Sequence, residues 1–315
     1  MIKFGILACP QYTDWPALKA VGTRVEELGY DALWTWDHLY PIWGDPAGPS
    51  FEGYLTVSAW ARLTRRVRIG LMVGANTFRN PAVVAKMATT LDHISGGRAV
   101  LGLGAAWFET EHLAFGIEFP GIGERLDRLD EAAALIRAML DGSEASARGR
   151  FYRAQGVRND PPPLQARLPI LIGGGGERKT LKTVARYADM CNIGGSVDEV
   201  RHKDTVLRRW CRELGRDEAA IERTTKGDVL VIRDSVDEAR RVAAAIGRHN
   251  GGWEGPEIVG PPDLIAERLA GFVEIGFRHF YFDLPAPYDD ETLVRLIREV
   301  KPMLEATPTA RIQTS

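Results

Sequence analysis

The sequence predicts an α/β fold, a closed (β/α)8 TIM barrel with loop insertions at its C-terminal face. Short apolar runs rich in Val, Ile and Leu alternate with helical patterns along the whole chain. The segment Arg68–Glu111 shows the unit that repeats. Its runs Ile69–Val73 and Ala99–Leu103 read as buried strands. The helix between them opens at Pro81, carries Val83, Val84, Met87, Ala88 and Leu91 at helical period, and stops at Ser95-Gly96-Gly97. Two parallel strands need such a crossover. A chain of 315 residues, 45% hydrophobic and 26% charged, suits one large domain of this kind. Residues 1–305 are expected to form the barrel and residues 306–315 a polar tail. A doubly wound open sheet is the competing arrangement.

The elements follow in order. Lys3–Ala8 is the first strand. Thr13 or Asp14 caps a helix through Glu27, stopped at Gly29. Ala32–Trp36 is the second strand and runs into Asp37-His38. Residues 39–53 are rich in Gly, Pro, Trp and Tyr without a period, which predicts a long loop, a lid or pocket wall. Tyr54–Leu63 is a helix leading to the third strand. After the fourth strand an irregular passage runs from Trp107 to Gly123. A helix over Glu124–Leu140 aligns Leu126, Leu129, Ala133, Ile136 and Leu140. Gly149–Pro163 reads as an inserted hairpin. Pro169–Ile172 is the fifth strand, then four glycines and a helix over Arg178–Tyr187. Met190–Ile193 and Gly227–Ile232 are the sixth and seventh strands, followed by helices over Val197–Leu214 and Val236–Ile246. His249–Gly260 reads as a glycine-rich loop. The helix Pro262–Ile275, the strand His279–Leu284 and the helix Asp290–Leu304 close the chain.

The formal net charge is −2 and no basic run stands apart from predicted helices, so nucleic acid and anionic membrane are poor partners. Cys9, Cys191 and Cys211 form no CxxC pair, and their odd count argues against a disulfide framework. No stretch approaches a membrane span, and the apolar start is a poor secretion signal. A cytoplasmic chain acting on a small molecule is the expectation.

In such a barrel chemistry gathers at the C-terminal strand ends. Here those ends hold Cys9-Pro10-Gln11, Asp37-His38, Gly74–Asn76, Ala105–Trp107, Gly173–Gly176, Gly194-Gly195, Arg233 and Leu284-Pro285. They are rich in small residues and poor in acids and nucleophiles. That suits a bound cofactor better than a hydrolytic carboxylate pair. Gly173, Gly174, Gly175 and Gly176 after a buried strand can turn backbone N–H groups onto a phosphate, with Arg178 and Lys179 adding positive charge; the alternative is a flexible turn. His38 reads as a proton donor or acceptor, against a hydrogen-bonded structural histidine. Asp37 reads first as a loop cap. His93, His112, His202, His249 and His279 read as structural. Trp43 and Trp107 lie in loops at the mouth, where rings can wall a flat ligand. No His/Asp/Glu cluster has metal-ligand spacing, so no metal is expected. No GxSxG elbow exists, and Cys9 lacks a base partner.

Several motifs then run in a familiar order. They are Glu27–Trp34, Asp37-His38-Leu39, Arg79-Asn80-Pro81 with Ala85-Lys86, and Thr90–Arg98. Leu101–Trp107 with Glu111, Ile172-Gly173-Gly174 with Ala185–Asp189, and Ala266–Leu269 follow. On these motifs the chain resembles the luciferase-like monooxygenase superfamily, and within it the coenzyme F420 (deazaflavin)-dependent oxidoreductases. The resemblance implies a barrel with a ring cofactor at its mouth. It implies a non-proline cis peptide within Met72, Val73 and Gly74 behind the ring, with Ala105, Ala106 and Trp107 beside it. It places the cofactor phosphate on Gly173–Gly176 and the Asp37-His38 pair near the ring. It also implies a homodimer. The expected chemistry is hydride transfer between the deazaflavin C5 and an organic substrate under the 39–53 loop. An FMN-dependent monooxygenase using O2 and a barrel without cofactor are the rival readings. Trp107 stands where the family's sugar-phosphate dehydrogenases carry a glutamate acid. That departure resembles the broader group of deazaflavin-dependent oxidoreductases.

Overall fold

A computed structural model describes residues 1–142, 144–255 and 258–306. Its strands are β1 (Lys3–Ala8), β2 (Ala32–Thr35), β3 (Arg68–Leu71), β4 (Gly74–Ala75), β5 (Ala99–Gly104), β6 (Ala145–Arg148), β7 (Arg153–Val157), β8 (Ile170–Gly173), β9 (Met190–Asn192), β10 (Glu222–Ile232), β11 (Ile258–Gly260) and β12 (His279–Leu284). The helices are α1 (Trp15–Leu28), α2 (Gly53–Leu63), α3 (Pro81–Ser95), α4 (Glu109–Ala114), α5 (Ile122–Leu140), α6 (Thr180–Tyr187), α7 (Val197–Leu214), α8 (Val236–His249), α9 (Pro262–Glu274), α10 (Asp290–Arg295) and α11 (Lys301–Ala306). A π-helical turn over Leu296–Val300 joins the last two.

The strands close into a ring, β1-β2-β3-β5-β8-β9-β10-β12 and back to β1, with every pairing parallel. Closure excludes the open sheet. Strand alternation sorts the side chains. Leu7, Trp34, Val100, Leu171, Met190 and Tyr281, one from each of six strands, share the interior cluster, and Trp36 joins them above. Phe4, Ile6, Leu33 and Ile69 face the helices. Trp34 explains Gly5, whose Cβ would meet its Nε1 at 2.8 Å; a Cβ on Gly70 would meet the Val100 carbonyl oxygen at 2.1 Å first and the indole Cζ3 at 3.1 Å. Gly5 on the neighbouring strand makes room for the indole.

Much of the motif Thr90–Arg98 is structural. Asp92 is buried and accepts from the Gln165 side chain at 2.7 Å and the Gln165 backbone at 3.0 Å. The Arg98 guanidinium donates to the backbone carbonyls of Ser95 (2.7 Å), Val67 (2.7 Å), Ala61 (2.9 Å) and Thr64 (3.0 Å). It therefore ties the end of α2 to the end of α3 and the start of β3. Arg98→Ala leaves those carbonyls short of donors. Its urea midpoint should fall by the equivalent of about 2–4 kcal/mol, and a wild-type midpoint would show that water replaces the guanidinium without loss.

The structure corrects several boundaries. The third strand stops at Leu71, the peptide bond Met72–Val73 is cis, and β4 resumes pairing with β5 at Gly74. The seventh strand, β10, begins at Glu222 rather than Gly227. Its first half is polar, and its buried threonines are satisfied, Thr224 and Thr225 donating to the Cys191 and Ile193 carbonyls at 2.9 and 2.8 Å. The expected loop His249–Gly260 contains β11, parallel to the end of β10. The irregular passage after Trp107 contains α4, and the inserted hairpin is β6–β7, beginning at Ala145. Asp14 rather than Thr13 caps α1, accepting from Ala17 N at 2.8 Å. The expected tail falls, from residue 307 on, outside the described residues.

The 39–53 loop does not act as expected. Tyr12 donates to the Asp45 carbonyl and Gln11 accepts from Ile42 N at 2.9 Å, which holds the loop down over β1. Trp43 stacks on Trp253 at 4.5 Å and abuts Trp36 at 5.2 Å. The loop thus packs on the barrel-interior cluster.

Candidate active site at the barrel mouth

The C-terminal ends of β2, β4, β5 and β8 surround a cavity of about 470 Å³. Asp37 and His38 line it after β2; Met72, Val73 and Gly74 line it beside β4. Ala105, Ala106 and Trp107 line it after β5, and Gly173, Gly174, Gly175 and Gly176 at the end of β8. Residues read separately along 140 positions therefore meet in one place. Arg178 does not join them. It is exposed and lines a separate groove with Lys182 and Arg186. The reason is local: three residues, Glu177 to Lys179, separate the glycines from the start of α6 at Thr180. Trp43 is also absent from the wall, as are all residues of the 39–53 loop.

Val73 forms a floor. A Cβ on Gly104 would meet its Cγ2 at 2.6 Å, and one on Gly173 would meet both methyls at 3.1 Å. The small strand ends thus admit Val73, whereas Gly102 admits the Leu71 carbonyl, 1.9 Å from its virtual Cβ. Beyond the floor, Gly174 has φ +115° and donates its N–H to the Asn192 carbonyl at 3.0 Å. Among the described residues, no acceptor takes the N–H groups of Gly175 or Gly176. The cation beside them is Lys203 of α7, whose Cδ lies 2.7 Å from a virtual Cβ on Gly175. Lys203 was not legible as a neighbour of this loop.

Asp37 is 3% exposed. Its Oδ2 accepts from Ala75 N at 2.9 Å and from Arg79 Nη1 at 2.7 Å, while Oδ1 is buried with no partner. Arg79 also holds Glu52 at 2.8 Å. Burial pushes the Asp37 carboxyl up to about 6, outweighing the opposing pull of Arg79. The folded protein thus holds this proton more tightly than the unfolded chain does. Asp37 favours folding most below about pH 4, and that contribution disappears as pH rises through about 6. Asp37→Asn should therefore flatten the fall in stability over that window, by up to roughly 1.4 kcal/mol per pKa unit removed. Urea unfolding across the window checks this; parallel wild-type and variant curves would contradict it.

His38 is held by Glu111, which the sequence offered only as part of a motif. His38 Nδ1 lies 2.8 Å from Glu111 Oε1, and Leu39 N donates to Oε2 at 2.7 Å. Glu111, on α4, is 1% exposed. With Nδ1 engaged, Nε2 has no partner among the described residues. Aromatic rings fix the imidazole plane: Trp107 at 5.3 Å, Trp36 at 5.9 Å and Phe108 at 6.0 Å. His112 is structural, with Nε2 on Thr77 Oγ1 and Nδ1 on the Phe108 carbonyl, both at 2.7 Å. His93, His202, His249 and His279 also bond within the chain. Trp36, Thr180, Asn192 and Tyr281 line the cavity without having been singled out for it; for Trp36, shared strand parity with Trp34 was the available signal. The three cysteines are buried and free, and burial raises the Cys9 thiol far above its ordinary range. Among the described residues no three His, Cys, Asp or Glu side chains cluster to hold a metal ion, and no helix is long and apolar enough to cross a membrane.

Comparison with known proteins places the chain among relatives of similar length. The F420-dependent glucose-6-phosphate dehydrogenase of Amycolatopsis mediterranei (strain U-32) is 26% identical over 97% of this chain and 99% of its own. The enzyme of the same name from Gordonia bronchialis is 31% identical over 70% of this chain and 66% of its own. An F420-dependent secondary alcohol dehydrogenase, solved with an F420-acetone adduct, superposes with a TM-score of 0.82 at 20% identity, covering 96% of this chain and 99% of that one. The F420-dependent tetrahydromethanopterin reductase of Methanopyrus kandleri superposes with a TM-score of 0.79 at 18% identity, with the same coverage. At these identities the two structures speak to the fold alone. The model of the luciferase-like monooxygenase family matches residues 2–252, and the chain belongs to that family.

Proposed function

We propose that this chain is a coenzyme F420-dependent oxidoreductase, one barrel over residues 1–305, exchanging hydride with a small organic substrate at its mouth. Relatives matching almost the full chain bear F420-dependent names. The observation that carries the reading is the cavity, where a Val73 floor, the Gly175 and Gly176 N–H groups and His38 Nε2 converge. These residues fit a flat ring with a phosphate-bearing tail. Glycines at 104 and 173 let Val73 press up as a seat.

When bound, a deazaflavin supplies a two-electron hydride donor or acceptor at its C5 carbon. The chain supplies the rest. Gly175 and Gly176 hold phosphate, with Lys203 alongside. Asp37 and Arg79 fix β4 and so fix the floor. Glu111 holds Nδ1 and sets the imidazole tautomer, which leaves Nε2 to take or give the proton of the substrate hydroxyl. Trp36 and Trp107 wall the site and exclude water. The resemblance further supports a cytoplasmic homodimer, checked by light scattering on the purified chain. Anaerobic incubation with oxidised F420 and a panel of alcohols tests the activity. Alcohol-dependent bleaching of the deazaflavin's visible band is the expected result. Substrate-dependent O2 uptake with reduced FMN, without such bleaching, would overturn it.

A further inference from the structure

We propose that the substrate is an uncharged, largely apolar alcohol or carbonyl compound, and that phosphorylated sugars and other organic anions are excluded. The inference rests on the proposed function and deepens it. It starts from charge. Among the described residues, no Lys or Arg lines the cavity, whereas the carboxylates of Asp37 and Glu111 both do. The cations around the mouth have internal partners. Arg79 is bound by Asp37 and Glu52, at 2.7 and 2.8 Å. Lys226, beside Tyr281 in the strand register, is bound by Asp283 at 2.9 Å. Lys203 donates to the Gly194 carbonyl at 3.0 Å and adjoins the glycine turn assigned to the cofactor. Away from the glycine turn, a phosphate dianion beside His38 would be desolvated with no Lys or Arg in the cavity wall to meet it, which is unfavourable.

The wall supplies the positive half of the argument. Trp107 is 60% exposed and Ile122 57% exposed, and both line the cavity together with Leu126. Large apolar groups left open to solvent at the rim of a cavity mark an apolar ligand surface. The polar contact point among them is His38 Nε2, directed by Glu111. Beside Trp107, Ile122 and Leu126, this nitrogen matches a single hydroxyl or carbonyl oxygen on a hydrocarbon frame, while Thr180 and Asn192, also in the lining, adjoin the glycine turn assigned to the cofactor. A polyhydroxylated sugar would leave most of its hydroxyls unpaired there.

Isothermal titration of a series of 2-alkanones and of glucose 6-phosphate, into the chain with and without F420, tests the proposal. Affinity should rise by roughly three- to fourfold per added methylene, and glucose 6-phosphate should give no saturable heat. Ile122→Lys should weaken the ketones at least tenfold. Saturable glucose 6-phosphate binding with no gain along the ketone series would overturn the proposal, as would a flat ketone series. F420 affinity is read in the same experiment. Its absence alongside a rising ketone series would overturn the cofactor reading and leave this one standing.

Discussion

Replacing His38 with alanine is expected to lower kcat by roughly 10²–10⁴-fold while leaving F420 affinity within about threefold of wild type. The expectation follows from the two faces of the imidazole. Nδ1 is committed to Glu111 at 2.8 Å, and Nε2 opens on the cavity between Trp36 and Trp107. Alanine removes the proton carrier but none of the Val73 floor or the glycine turn, so binding survives. Glu111→Gln separates positioning from chemistry. Glu111 receives both His38 Nδ1 and Leu39 N, one on each oxygen. A carboxamide has one oxygen, so one of the two donors must face an NH2 group. Turnover should fall by roughly 10–10²-fold, and imidazole nitrogen NMR shifts should report loss of a single tautomer. Full activity in His38→Ala would make the residue a structural histidine, and an unchanged tautomer in Glu111→Gln would remove the positioning role.

Gly174→Val should abolish F420 binding and leave the fold intact. The φ of +115° at Gly174 is closed to a β-branched residue, at a strain cost of about 1–3 kcal/mol. The space itself is open, with Thr180 Cγ2 at 3.5 Å the nearest atom to a virtual Cβ. Backbone relaxation therefore relieves the strain and swings the Gly175 and Gly176 N–H groups away. Two charge-assisted hydrogen bonds at about 1.5–3 kcal/mol each correspond to a loss of roughly 10²-fold or more in affinity. The turn is at the surface, so the circular dichroism melt should stay near wild type. Unaltered F420 affinity would show that phosphate is held elsewhere.

These two experiments also mark how far the sequence carried. The barrel was legible because its strands are buried on both faces and read as continuous apolar runs. It was illegible where burial is paired with polar side chains. The first half of β10, Glu222 to Lys226, has no apolar run, and its threonines are satisfied by carbonyls of neighbouring elements that only the closed ring supplies. The site was legible where small residues and motifs sit at strand ends, as at Asp37-His38 and Gly173–Gly176. It was illegible where the link is purely spatial. Glu111 lies 73 positions from His38, and no local period connects them. Lys203 reaches the glycine turn from α7, whereas the adjacent Arg178 is carried outward by the turn before α6. The loop 39–53 misled because irregular aromatic sequence looks alike whether it covers a ligand or, as with Trp43 on Trp253, packs against its own barrel.

Titration of intrinsic tryptophan fluorescence with F420 and, separately, with FMN tests the account most directly, because Trp36 and Trp107 line the cavity. Saturable quenching by F420, with little by FMN and a smaller amplitude in Trp107→Phe, is the predicted result. Saturable quenching by FMN with none by F420 would contradict it.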